Sequence, residues 1–158
     1  MSGLAEPSSG TKPIYVLNGP NLNLLGEREP EVYGRTTLAQ IGERVSARAG
    51  TFGLSVEFRQ SNSEAELIGW LQEARHESCG VVLNAAGLTH TSVALLDAAR
   101  ALGRPLIEVH LSNPYAREEY RRHSFVSEAA TGVICGFGAQ GYLFAIDHLA
   151  QLAKSPNG

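Results

Sequence analysis

Short apolar runs alternate with amphipathic stretches along the whole chain, and that alternation limits the folds open to it more than any other feature. Ile14 to Asn18, Leu54 to Gln60, Gly80 to Asn84, Leu106 to His110 and Gly132 to Gly136 read as strands. Between the first two, Leu38 to Gly53 carries Leu38, Ile41, Val45 and Ala49 at near-helical spacing. Thr37 and Gln40 form a capping-box signature there, and Gly50 or Gly53 supplies the stop. Ser63 to Glu77 is helical, with Leu67, Ile68 and Leu71 on one face and a second capping-box signature from Ser63 to Glu66. Ser92 to Leu102 predicts a helix ending at Gly103, and the last helix spans about Gln140 to Lys154. A short helix is expected near Arg117 to Arg122.

Strict alternation of strands and helices implies a parallel sheet covered on both faces. With right-handed crossovers the expected fold class is α/β, a flavodoxin-like three-layer sandwich with a five-stranded parallel sheet of order 2-1-3-4-5. No repeat or interdomain linker interrupts the pattern, so a single domain is expected over residues 13–158. It follows a tail, residues 1–12, rich in Ser, Gly, Ala and Pro. Sheets of this order bind ligands beyond the carboxyl ends of their strands, at the switch between strands 1 and 3. The loops after strands 1, 3 and 4 are therefore the expected seat of the chemistry.

Composition removes several function classes. The net charge of −3 on the 158-residue chain argues against nucleic acid as the main partner, since phosphate backbones require a basic surface, and leaves room for local basic clusters that bind a small anion. Apolar residues make up 43% of the chain and charged ones only 18%, which favours an ordinary packed core over a disordered body. No apolar run approaches the roughly 18 residues of a membrane span. Met1 to Pro13 lacks the basic and apolar regions of a secretory signal. Cys79 and Cys135 lie in or beside apolar runs, consistent with a reduced, cytoplasmic protein. The only lysines, Lys12 and Lys154, stand near the chain ends, away from any dry pocket that imine chemistry would need.

The unusual residues fall in the three expected loops. Asn18-Gly-Pro-Asn-Leu-Asn follows strand 1 and leads into a charged segment from Gly26 to Gly34, broken by Pro30 and carrying Arg28 and Tyr33. Glycines at both ends mark it as a mobile flap. A guanidinium beside a phenol favours the phenolate, which can then act as a general base. After strand 3, Asn84, His90 and Ser92 share one loop. On strand 4, Glu108 and His110 are two residues apart and so face the same side. A carboxylate that orients an imidazole suits a general acid. Arg117, Arg121 and Arg122 form a basic run from which one arginine can clamp a carboxylate in bidentate fashion. Taken singly, each of these features also has an ordinary structural account as a solvated loop, a buried structural pair or an exposed helix face.

Two further patterns point elsewhere. Gly136-x-Gly138-x-x-Gly141 has the spacing of a dinucleotide fingerprint, but it follows the last strand. No later strand or acidic partner is available, so close helix–strand packing is the better account and no cofactor is expected. His90, His110, Glu108 and Asp97 lack metal-site spacing, and no metal is expected.

Read together in order, these segments resemble a known family. They are Asn18-Gly-Pro-Asn-Leu-Asn-Leu-Leu-Gly, Asn84 followed by Thr-His90-Thr-Ser, Glu108-Val-His110-Leu-Ser-Asn, Arg117-Glu-Glu-Tyr-Arg-Arg-His-Ser and Gly141-Tyr. The chain is similar to type II 3-dehydroquinate dehydratases from about Ile14 to Ala153. The resemblance implies anti elimination of water from 3-dehydroquinate to give 3-dehydroshikimate, without metal or cofactor, in the shikimate pathway or in quinate breakdown. It implies Tyr33 as base, Arg28 as the charge favouring its ionised form, and Asn21 as holder of a water that stabilises the enolate. His110 is implied as acid, oriented by Glu108. Asn84, His90, Leu111, Ser112 and Arg121 would bind the substrate, and Asp97 would reach a neighbour's site in a homododecamer built from trimers.

Two positions depart from the family pattern. Ala86 stands where the family usually has Gly, so a positive φ there would strain the loop. Pro114-Tyr115 replaces the expected aliphatic–His pair beside Ser112. Three rival functions fare worse. A receiver-type signalling domain needs acidic residues after strand 1 and a lysine after strand 5, and a flavin protein needs a hydroxyl-rich first loop; neither is present. A non-catalytic binding relative would be expected to have lost the base or the acid. A lyase for another hydroxy-ketone acid is the remaining enzymatic alternative.

Overall fold

A computed structural model of the protein describes residues 11–154. The expected N-terminal tail therefore lies, apart from Thr11 and Lys12, outside the described residues. Five strands form one parallel sheet of order β2-β1-β3-β4-β5, as the alternation predicts. They are β1 (Ile14–Asn18), β2 (Val56–Gln60), β3 (Gly80–Asn84), β4 (Leu106–His110) and β5 (Gly132–Cys135). The helices are α1 (Pro30–Tyr33), α2 (Leu38–Gly50), α3 (Glu64–Glu77), α4 (Val93–Arg100) and α5 (Gln140–Lys154).

Every residue of β1, β3 and β4 is buried, because helices cover both faces of the central sheet. On one face, Ile14, Val16, Val82, Ile107 and Val109 pack with Ile41 and Val45 of α2 and Tyr142, Ile146 and Leu149 of α5. On the other, Tyr15, Leu17, Val81, Leu83 and Leu106 pack with Leu67 and Leu71 of α3 and Leu95 and Ala99 of α4. β1 and β3 pair in register from Ile14 with Gly80 to Asn18 with Asn84, so two asparagines end side by side at the switch point.

Local chemistry sets most helix boundaries. Thr37 Oγ1 accepts from the Gln40 N–H while Gln40 Oε1 accepts from the Thr37 N–H, completing the predicted capping box. Ser63 caps α3 through its hydroxyl on the Glu66 N–H. Ser92 lies just outside α4 and caps it on the Leu95 N–H. β2 starts two residues later than expected because Leu54 belongs to the end of α2: its N–H bonds the Ala49 carbonyl around Gly53, which has φ 73°. The helix expected at Arg117 to Arg122 is instead two 3₁₀ turns, Pro114–Ala116 and Glu119–Arg121, separated by an extended Arg117. Three further short turns, Leu22–Leu24, Ala86–His90 and Val126–Glu128, have no counterpart in the periodicity because three to five residues are too few to show a period.

Candidate active site

The carboxyl ends of β1, β3 and β4 open into a cavity of about 200 Å³. Its lining includes Asn21, Arg28, Tyr33, Asn84, His90, His110, Leu111, Ser112 and Arg121, which are nine of the eleven residues singled out from the sequence. Arg117 lines it as well. Glu108 lies behind His110, and Asp97 is exposed on α4 and does not line the cavity of its own chain.

Tight backbone approach joins the first and third loops. A Cβ on Gly19 would sit 2.5 Å from the Ala85 carbonyl oxygen, so only glycine fits. The Gly19 N–H bonds the Asn84 carbonyl. Asn21 takes a left-handed conformation with φ 70°, and its N–H donates to Asn62 Oδ1 across 2.9 Å.

The segment from Gly26 to Gly34 is more ordered than its composition suggests. Pro30 opens α1, where its missing N–H costs nothing, and Gly34 at φ 80° closes the helix. A Cβ on Gly26 would sit 3.0 Å from the Arg35 carbonyl, so the two ends of the segment nearly touch. α1 is thus carried on a nearly closed loop that brings Tyr33 to the cavity. Tyr33 packs against the core, and its hydroxyl meets Arg117 Nη1 at 2.8 Å. Both guanidinia also stack on the Tyr33 ring, Arg28 at 5.5 Å and Arg117 at 5.2 Å from its centroid. Arg28 is ion-paired with Glu29, so the direct contact to the phenol oxygen belongs to Arg117.

Across the cavity, His110 Nε2 is hydrogen-bonded to Glu108 Oε2. Ser127 donates to Glu108 Oε1 at 2.6 Å, and Ser124 donates to both carboxylate oxygens at 3.1 and 2.9 Å. Glu108 is buried; desolvation pulls its pKa up, but the His110 and serine hydrogen bonds outweigh that and hold it below the ordinary carboxylate range. An ionised Glu108 only accepts, so the proton in that bond sits on His110 Nε2 and Nδ1 is the nitrogen left for other chemistry. His90 Nδ1 must donate to the His123 carbonyl at 2.7 Å, which leaves Nε2 of the neutral ring as an acceptor.

Asn84 is held from two sides. Its Nδ2 donates to the Tyr142 hydroxyl at 2.9 Å and its Oδ1 accepts from the Ala86 N–H at 3.2 Å. Ala86 does adopt positive φ, at 53°, so the departure from glycine places an L-residue in the left-handed region. Burial pushes the Tyr142 phenol well above its ordinary pKa, a bond from Asn84 opposing only in part, so Tyr142 stays a neutral hydroxyl. Arg121 faces the cavity but its Nε is engaged by Glu118 Oε2 at 2.8 Å. The Leu111 carbonyl is occupied by the Gly138 N–H, and Ser112 Oγ lies 3.4 Å from Arg117 Nη1.

Sequence reasoning passed over Arg117, Ser124, Ser127 and Tyr142 as working residues. The basic run contains Arg117, but spacing alone does not say which arginine turns inward; the extended backbone at Arg117 decides it. The glycine fingerprint is packing: a Cβ on Gly141 would sit 3.2 Å from Ile134 Cγ2. Among the described residues, no group of three or more His, Cys, Asp or Glu is placed to hold a metal ion, and no helix is long and apolar enough to cross a membrane.

The family described as Dehydroquinase class II matches residues 12–150. A 3-dehydroquinate dehydratase of Caulobacter sp. (strain K31) is 61% identical over 141 residues, covering 89% of this chain and 96% of that one. The 3-dehydroquinate dehydratase 2 of Pseudomonas aeruginosa is 54% identical, covering 89% and 95%. The solved type II dehydroquinase of Propionibacterium acnes superposes with a TM-score of 0.86 at 46% identity, covering 89% of this chain and 97% of that one. With its fold, its loops and its whole cavity inside the matched span, the chain belongs to the class II dehydroquinase family.

Proposed function

We propose that this chain removes water from 3-dehydroquinate by anti elimination, yielding 3-dehydroshikimate through an enolate. The observation that carries the reading is the pairing of two oriented proton-transfer groups in one cavity: Tyr33 on Arg117, and His110 on Glu108. Tyr33, as phenolate, takes the proton from C2, and the electron pair moves toward the neighbouring ketone. Two guanidinia around the ring stabilise the anionic oxygen before the transfer. The enolate then collapses, and His110 gives a proton from Nδ1 to the C1 hydroxyl as it departs as water. Glu108 holds the ring and stabilises the imidazolium form.

Asn21, in the loop after β1, holds the water that stabilises the enolate oxygen. His90 Nε2 accepts from a substrate hydroxyl, and Asn84 and the Leu111–Ser112 segment contribute further polar contacts. Arg121 exchanges Glu118 for the substrate carboxylate, a like-for-like replacement of one carboxylate by another. Asp97 serves a neighbour's cavity, which fits its exposed place on α4. This requires assembly, as a homododecamer of trimers. Exposed apolar side chains at the β5 edge support it: Val133 is 49% and Phe137 62% accessible. The setting is the cytoplasmic shikimate pathway or quinate breakdown.

Stereospecific labelling tests the reaction. With 3-dehydroquinate carrying deuterium anti to the C1 hydroxyl at C2, the product observed by NMR should have lost the label. Retention of that label, or no product, overturns the assignment.

A further inference from the structure

The cavity-lining amide of Asn84 is not free to choose its orientation, and part of the reason lies outside the cavity. Asn18 Nδ2 donates to the Arg59 carbonyl at 2.9 Å, and a carbonyl can only accept. That turns Asn18 Oδ1 toward the Tyr142 hydroxyl, which donates to it at 2.7 Å. With its one proton spent, the Tyr142 oxygen can only accept on its other side, so Asn84 must present Nδ2 to it. The remaining Asn84 atom, Oδ1, then meets the Ala86 N–H, which can only donate. Both ends of this chain of four hydrogen bonds are backbone groups of fixed polarity. The chain therefore runs in one direction only, from the Ala86 N–H to the Arg59 carbonyl.

All three side chains are buried, Tyr142 and Asn18 completely, and the two asparagines are direct neighbours across β1 and β3. Ala86 opens the 3₁₀ turn that ends at His90, so the same chain anchors the start of the segment carrying a second cavity residue. Asn18 and Tyr142 do not line the cavity.

We propose that Tyr142 is a positioning residue: together with the Ala86 N–H on Oδ1, its hydroxyl locks the amide polarity of Asn84, so that the one Nδ2 hydrogen left over, and not an oxygen, is offered to the substrate. Asn18 acts through Tyr142 by claiming the phenolic proton. The proposal rests on the reading of the cavity as the 3-dehydroquinate site.

In Tyr142→Phe the amide of Asn84 loses the acceptor of its Nδ2 and is held in orientation by the Ala86 N–H alone. KM for 3-dehydroquinate should rise about tenfold, the size of one hydrogen bond of assigned polarity, with kcat changed much less. Asn18→Ala frees the phenolic proton to turn toward Asn84 and should raise KM similarly, although Asn18 is outside the cavity. Both effects should vanish when introduced into Asn84→Ala, since a group that acts through Asn84 has nothing left to orient. Undiminished effects in the Asn84→Ala background, or KM unchanged in both single variants while the melting temperature falls, overturn the proposal. Hydrogen exchange of the Asn84 side-chain amide, identified by its loss in Asn84→Ala, reads the same orientation without turnover. Protection should fall in Tyr142→Phe, and protection equal to wild type overturns the proposal. Failure of the wild-type protein to turn over 3-dehydroquinate is a separate result and counts against the functional reading alone.

Discussion

Arg117 Nη1 donates to the Tyr33 hydroxyl across 2.8 Å, joining the α1 segment to the turn that follows β4. One contact thus ties two lining elements of the cavity together and places a positive charge on the oxygen that is to hold negative charge. Removing it should damage the chemistry more than binding. Arg117→Met should lower kcat by about 10² to 10³, and Arg117→Lys should recover only part of it, because a point charge cannot both stack and donate in plane. Steady-state kinetics on both variants check this; equal kcat in wild type and Arg117→Met would remove Arg117 from the base assembly.

Tyr33→Phe keeps the ring and its stacking on Arg28 and Arg117 while deleting the oxygen. Turnover should fall by about 10² to 10⁴, the usual contribution of a positioned general base, with substrate affinity within a few-fold of wild type. Calorimetric binding beside single-turnover rates separates the two quantities.

Glu108 gives the acid-side prediction. Its folded pKa lies below its ordinary value, so the unfolded chain binds the proton more readily. The stabilisation is complete above the ordinary carboxylate range and is lost as pH falls from that range through the depressed folded value. Melting temperature should therefore drop as pH is lowered from about 5 toward 3. Glu108→Gln should show a shallower drop over that window, together with a large loss of activity at neutral pH. Parallel acid profiles for the two proteins would mean that other carboxylates carry the dependence.

Ala86 at φ 53° carries a left-handed penalty of about 1–2 kcal/mol that glycine would relieve. Against this stand the loss of a half-buried methyl and the greater freedom of glycine in the unfolded chain, each under about 1 kcal/mol. Ala86→Gly should thus be neutral to stabilising by up to about 1 kcal/mol, read as a melting temperature equal to or a few degrees above wild type. A clear loss of stability would mean that the methyl's packing outweighs the strain.

Assembly is checked by sedimentation. The protein should run as a dodecamer, and Asp97→Ala should lower activity without changing that mass. Mixing Asp97→Ala with Tyr33→Phe subunits, after dissociation and reassembly, should give more activity than either variant alone if Asp97 serves a neighbouring cavity. A monomer with full activity contradicts this.

The fold was legible because apolar periodicity is a local property. β1, β3 and β4 begin and end where their apolar runs do, and Thr37 and Ser63 cap their helices through hydroxyls visible in the sequence. Nine of the eleven expected site residues line the cavity because they sit at strand ends or in the loops that the topology brings together. The residues that sequence reasoning passed over depend on tertiary geometry. Arg117 and Arg121 look alike in a basic run, and only an extended backbone at Arg117 turns it toward Tyr33. Ser124 and Ser127 become partners of Glu108 through a 3₁₀ turn too short for a pattern. Tyr142 reads as an ordinary apolar position of α5, and its hydroxyl matters only because α5 sets it between Asn18 of β1 and Asn84 of β3.

The most direct test of the central claim is ultraviolet absorbance of the conjugated enone on mixing 3-dehydroquinate with the purified protein in the presence of chelator. The account predicts an immediate rise that scales with protein, is absent after boiling and is nearly abolished in Tyr33→Phe. No rise with folded protein, or a rise of equal rate in Tyr33→Phe, would contradict it.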